Sequence, residues 1–398
     1  MAFEALAPRL ERFRKLALWI GVAALAVTVF LGLVGWGNFF QSYLYAFLFW
    51  LGISLGSLLL LMVANLAGGP WATLIRRPAE AGAMVTPILA LLFIIILIGM
   101  GSLYPWVSKE YLASHPLVAN KTLWLNPGFF ILRAIIYFGA WTLLAWAFYR
   151  WGQQQDADAS QASAIAVKSQ KLAAGGIVLF IMTMTFAAFD WGMSLRPDWF
   201  SGLYGAIFMI GQAISAVAFI ILFLYIFANI EPLKSKLNKK YVQDLGNFMM
   251  AFTMFWAYVN VSQLIIIWSG NLVETNTWFV VRMDAEGPWR AVGGFIMLFH
   301  FFVPFIILFS RWVKQSHRQL TIVACWMLFV RLVDLFFYII PEFGRESAIP
   351  LHLSDILALV GIGGVWMYFF FQRIIGRGLL PTNDPRGKLG DYMEGGHH

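Results

Sequence analysis

The chain holds one cysteine, Cys325, in 398 residues. A disulfide framework, a CxxC redox pair and an all-cysteine iron–sulfur cluster are thereby excluded within it. Charge is scarce as well: 12% of the residues are Asp, Glu, Lys or Arg, where a soluble domain carries about 25%. Histidine is also sparse. A haem b held between membrane helices needs paired intramembrane histidines, and His300 stands without one, since His115, His317 and His352 fall in loops or at span ends. His397 and His398 follow "EGG" and read as a tag remnant. No metal site and no redox centre are expected in this chain.

What is abundant is hydrocarbon. Sixty per cent of the residues are hydrophobic, which at roughly 20 apolar residues per span predicts about ten membrane helices. The basic residues Arg9, Arg12, Arg14 and Lys15 precede the first run like a signal-peptide n-region. No small-residue cleavage site leads into a soluble domain, so a retained first helix is expected. Apolar runs lie near 16–36, 43–66, 80–103, 128–150, 172–194, 203–229, 247–269, 291–312, 319–340 and 354–375. The fold class is therefore all-α and polytopic, with short segments 1–15 and 376–398 flanking a membrane domain over 16–375.

Lysine and arginine set the orientation. Twenty fall in the terminal segments and in the loops after spans two, four, six and eight. Six fall in the opposite loops: Lys109, Lys121, Arg196, Arg282, Arg290 and Arg345. The positive-inside rule makes both termini cytoplasmic. The same bias accounts for the net charge of +8, and no nucleic-acid partner is needed to explain it. The inner loops, 67–79, 151–171, 230–245 and 313–319, are too short for domains. "GQQQDADASQASA" reads as a flexible polar connector, and "EPLKSKLNKK" as a basic face that attracts anionic lipid. The outer loops hold Trp106, Trp124 and Trp278, expected as interfacial anchors or as part of a docking surface for partners.

Spans two to five (about 43–194) and six to nine (about 203–340) read as two parallel copies of one four-helix unit, with spans one and ten added. Span four has Arg133 five residues after Gly128, and span eight has His300 six residues after Gly294. Spans five and nine carry Asp190 and Asp334. Arg331 and Asp334 lie well inside a span, Arg133, Asp190 and Asp355 nearer outer ends, and His300 near mid-depth. Charges in hydrocarbon cost several kcal/mol and usually face a bundle interior or a wet cavity. At a rise of about 1.5 Å per residue, Arg331 lies about 14 Å below the outer end of its span. All six candidates fall from mid-depth outward, and the inner half offers only Glu80 at its boundary.

"RLVD" sets Arg331 and Asp334 on one helix face, either as a structural ion pair or as part of a proton relay or quinone-headgroup site. Pro304, four residues after His300, removes an N–H and predicts a kink with a free carbonyl beside the imidazole. In "FDWGMSLRPDWF", Arg196 and Asp198 read as a local pair in the outer turn, with Asp190 deeper and better placed for proton exchange. Gly52 and Gly56 predict close helix packing, and Gly361, Gly363 and Gly364 the same, against this chain or another subunit.

Ten spans, the internal duplication and the inner stretch "GGPWATLIRRPAEA" resemble the NrfD/PsrC-like family of membrane subunits. "FAAFDWGMSLRPDWFSGLYG" and "FTMFWAYVNVSQLIIIWSGN" are similar to the ActF-type members found in bacterial alternative complex III. The resemblance spans about residues 15–380. It implies a subunit of a respiratory or photosynthetic quinol:electron-acceptor oxidoreductase in the bacterial inner membrane. It further implies a second NrfD-like subunit and extracytoplasmic haem and iron–sulfur subunits as partners, with menaquinol a candidate ligand. Asp190, His300, Arg331 and Asp334 would then serve a proton path or scaffold. A secondary transporter and a purely structural anchor are the alternatives.

Overall fold

The computed structural model describes residues 3–35, 37–284, 287–344 and 351–385. Arg345, Arg386, Lys388, His397 and His398 lie outside the described residues. Among the described residues, ten helices are long and apolar enough to cross a membrane: α1 (Ala7–Leu33), α2 (Phe39–Ala67), α3 (Pro70–Ile98), α4 (Pro127–Ala157), α5 (Ala159–Leu195), α6 (Tyr204–Ile226), α7 (Lys239–Gly270), α8 (Trp289–Phe309), α9 (His317–Phe343) and α10 (Leu353–Ile374). The fold is all-α, and the number and order of spans are those expected from the apolar runs.

The helices outrun the hydrocarbon. α7 starts at Lys239, several residues before its apolar stretch, and α4 continues to Ala157. The supposed flexible connector is helical on both sides of Asp158. Asp158 Oδ1 accepts from Ser160 N at 2.8 Å and Ser160 Oγ at 2.6 Å, and Oδ2 accepts from Gln161 Nε2 at 2.7 Å. These bonds hold its carboxyl below the usual carboxylate range. The backbone of such Ala- and Gln-rich sequence keeps its helical bonds in water, where hydropathy no longer reports them.

The segment 67–79, expected as a loop, is the start of α3. Gly68 and Gly69, at φ 67° and 92°, make the turn, and Pro70 fits the first helical position, where its missing N–H costs nothing. The helix runs to Ala83, breaks at Met84–Val85 and resumes as Thr86–Ile98. Arg76, Arg77 and Glu80 are buried on its inner part.

At the centre, α2 packs against α6. The most apolar stretches of these two helices are 83% and 89% buried, against 17% for α1 and 22% for α8. The first helices of the two expected four-helix units thus meet in the middle, and α1 packs on α10 at the periphery. Gly56 allows the central contact, since a β-carbon there would overlap the Gln212 carbonyl of α6. Gly361 and Gly364 abut Leu25 and Gly21 of α1, and Gly363 abuts Trp50 of α2, so all three glycines serve close packing within this chain. Gly56→Ala should therefore lower stability by about 1–3 kcal/mol. Gly139→Ala, in open space on α4, should raise it by about 0.5–1 kcal/mol. Unfolding titrations in detergent check the pair.

The outer tryptophans are not interfacial anchors. Trp106 and Trp278 are buried; Trp106 Nε1 donates to Ser194 Oγ at 3.2 Å, and Trp278 stacks on Trp199 at 5.4 Å. Trp124 is half-buried over α4 and α5. The outer loops fold back as a lid whose tryptophans shield buried polar groups from water. The apolar residues left outermost are others, such as Leu123 and Val273, 89% and 80% exposed.

Candidate functional site

Arg133, Asp190, His300, Arg331, Asp334 and Asp355 are all buried within the bundle; none faces lipid. They do not form one site. The structure gathers them into two clusters, one in each half, and sets Asp355 apart.

In the first half, Asp190 of α5 meets Arg133 of α4. Arg133 Nε donates to Oδ2 at 2.7 Å and a terminal guanidinium nitrogen to Oδ1 at 2.8 Å. Tyr137 Oη adds a bond to Oδ2 at 2.9 Å and Trp124 Nε1 one to Oδ1 at 3.0 Å. The second terminal nitrogen of Arg133 donates to the Trp124 carbonyl at 2.9 Å, and its guanidinium lies 4.1 Å from the Trp124 ring centroid. Each carboxylate oxygen thus holds two donors. A bidentate pair satisfied in this way is a lock.

The second half is built differently. Arg331 and Asp334, one turn apart on α9, form an ion pair through Oδ2, and Trp256 Nε1 of α7 donates to the same oxygen at 3.2 Å. Asp334 Oδ1 has no hydrogen-bond partner among the described residues. The guanidinium of Arg331 lies against Gly211 of α6, where any β-carbon would collide with it. His300 of α8 packs against Trp256 with the rings tilted by 46° and their centroids 4.1 Å apart. It is fully buried, and neither Nδ1 nor Nε2 has a partner among the described residues. Nearby, Tyr338 Oη donates to Asn260 Oδ1. Buried polar atoms are nearly always hydrogen-bonded, so three unpaired acceptor or donor atoms around one tryptophan mark a place for exchangeable groups.

The kink expected at Pro304 takes another form. Residues Met297–Phe302 of α8 are a π-helix, a one-turn irregularity common at functional sites. With no N–H on Pro304, a carbonyl of the preceding turn loses its donor. Trp326 Nε1 of α9 donates instead to the Phe299 carbonyl at 3.0 Å. The wider turn carries His300 towards α7.

Asp355 is a helix cap. It accepts from His352 N at 2.8 Å and from Ser42 Oγ of α2 at 2.6 Å, tying the start of α10 to α2. Arg196 does not pair with Asp198. Its Nε donates to Glu342 Oε2 at 2.6 Å, and Arg282 donates to Glu342 Oε1 at 2.7 Å. Burial draws the Arg282 pKa down, but an arginine stays charged, and Glu342 balances it. This rim holds the outer lid to the end of α9.

The inner half is not empty of charge. Glu80 accepts from Arg76 Nε at 2.9 Å, from Arg77 at 3.1 Å and from Arg377 at 2.9 Å. Arg77 and Arg377 also reach Asp156, and Arg76 donates to Asp384 at 2.6 Å. Three cations and three anions from α3, α4 and the segment after α10 thus form one network. The i, i+3 and i, i+4 spacing in "RRPAE" is the sequence signal for its core. Between this network and Asp334, α2 and α6 bury Ser54, Ser57, Gln212 and Ser215. Ser57 packs on Gly82, two residues from Glu80, and Gln212 Oε1 has no partner among the described residues. Buried charge is therefore not confined to the surroundings of His300, Asp190 and Asp334.

No protein-family model matches the chain, and no curated protein is similar to it in sequence. The likeness to NrfD/PsrC-type subunits rests on the three stretches quoted above.

Proposed function

We propose that this chain is a proton-handling membrane subunit of an NrfD/PsrC-like quinol:acceptor oxidoreductase, akin to alternative complex III, with both termini cytoplasmic in the bacterial inner membrane. Electron carriers would reside in partner subunits, haem and iron–sulfur chains outside and a second NrfD-like chain beside this one. The observation that carries the reading is the difference between the two aspartates. Asp190 has both oxygens saturated, whereas Asp334 keeps Oδ1 open beside a histidine whose two ring nitrogens are also open.

A relay needs groups that can gain a partner and lose it again. Asp334 Oδ1 can accept a proton while Arg331 and Trp256 stay on Oδ2. His300 can take a proton on one ring nitrogen and release one from the other. Gln212 and the serines of α2 and α6 supply a polar seam towards Glu80. Quinol, the two-proton donor, would bind at the subunit that meets the electron acceptor; Asp190, locked by Arg133, holds the fold.

A secondary transporter would be expected to break its helices at corresponding places in the two halves. Here the irregular helices are α3 and α8, the second of one unit and the third of the other. Asp334→Asn in the assembled complex should cut protons translocated per electron at least tenfold, with the subunits still co-purifying. Asp334→Glu should retain most of the coupling. An unchanged proton-to-electron ratio in intact Asp334→Asn complex removes the relay.

A further inference from the structure

At the inner end of the second half, α6 ends, a short loop follows and α9 begins, leaving a cavity of about 500 Å³. Its polar lining is Tyr225, Asn229, Lys234 and His317; Ile226 and Leu237 supply apolar wall. Each polar member can donate a hydrogen bond, and among the described residues no carboxylate lines the cavity. His317 also opens α9, whose Ser316 side chain caps the first turn, so the positive end of that helix adds to the field. A narrow apolar crevice bounded by Leu224 and Leu320 continues from the same Tyr225, Leu237 and His317. Outside, Ile226 of α6 and Ile322 of α9 are exposed on the bundle surface.

We infer that this cavity is a binding site for the phosphate headgroup of an anionic phospholipid of the inner leaflet. Lys234 neutralises the phosphate, while Asn229, Tyr225 and His317 donate to its oxygens and to the glycerol. The acyl chains run down the exposed isoleucines of α6 and α9. Charge complementarity selects the occupant: a cavity of donors at the hydrocarbon boundary fits a membrane-anchored phosphodiester. A quinol would find no carboxylate there to take its protons. The site is independent of the proton path, which lies deeper.

The test is lipid retention by the full chain after detergent exchange, read by native mass spectrometry with added phosphatidylglycerol or phosphatidylcholine. The wild type should retain one phosphatidylglycerol and at least fivefold less phosphatidylcholine. Lys234→Ala with His317→Ala should lose phosphatidylglycerol at least fivefold. Lys239→Ala with Lys240→Ala, on the same basic face outside the cavity, should keep it. Millimolar glycerol phosphate should not displace it. Equal retention of the two lipids, retention by the first variant, equal loss by the second, or displacement by glycerol phosphate would each overturn the site. On the unmodified chain, a photoactivatable phosphatidylglycerol should crosslink within 225–237 or 317–321; crosslinks confined elsewhere would overturn it as well.

Discussion

Arg133→Met is expected to destabilise the folded chain by about 3–5 kcal/mol, the range for stranding one partner of a buried ion pair. The reason is the environment of Asp190. The arginine supplies two of the four donors on that carboxylate, and the remaining two, from Tyr137 and Trp124, carry no net charge. Asp190→Asn should cost a similar amount, because Arg133 would then be a buried cation with no anion among its hydrogen-bond partners. The informative variant is the double one. Asparagine at 190 can turn its carbonyl to Trp124 Nε1, which only donates, and its amide N–H to the Tyr137 hydroxyl, which can also accept, and methionine at 133 has no charge to compensate. The double variant should therefore lie at least about 2 kcal/mol above the sum of the singles, the non-additivity expected of residues in direct contact. Unfolding titrations in detergent on the four chains measure it. Additive losses would mean that the pair contributes through shape alone, and would remove the assignment of Asp190 as a lock.

That assignment shows where the sequence is readable and where it is not. The ten helices are legible because hydrocarbon leaves no choice: backbone in lipid must bond to itself, so every span needs an apolar run. Helix ends are hidden, since Lys239 and Gln154 continue helices in water where composition carries no such demand. Tryptophans in outer loops read equally well as interfacial anchors or as a lid, because both places reward a ring that is apolar with one polar atom. Trp106 and Trp278 took the second option. The intramembrane charges were legible as residues but not as pairs. Arg133 meets Asp190 across 57 positions, and nothing local announces it. His300 was visible, whereas the π-turn that aims it at Trp256 depends on how Trp326 of α9 satisfies a carbonyl of α8.

The ion pairs of Arg76, Arg77 and Arg377 are hidden in the sequence for a different reason. Each arginine counts towards the positive-inside bias, and that role masks any other, because a topology signal requires only charge and side. Their burial reveals the second role, which leads to a sharp expectation for Glu80. It accepts from all three arginines, so Glu80→Gln should leave the network with three cations and two anions, at a cost of about 3–5 kcal/mol. Arg377→Gln combined with Asp384→Asn removes as many ion pairs, three, from the network's edge but takes away one charge of each sign. Arg76 and Arg77 then remain balanced by Glu80 and Asp156, and the loss should be about 1 kcal/mol, as for partly exposed pairs. If bond number governed the network, the two variants would be weakened alike. If charge balance governs it, as the burial of Glu80 demands, Glu80→Gln will unfold first in a detergent titration, and a double variant at or below its stability would refute the ordering.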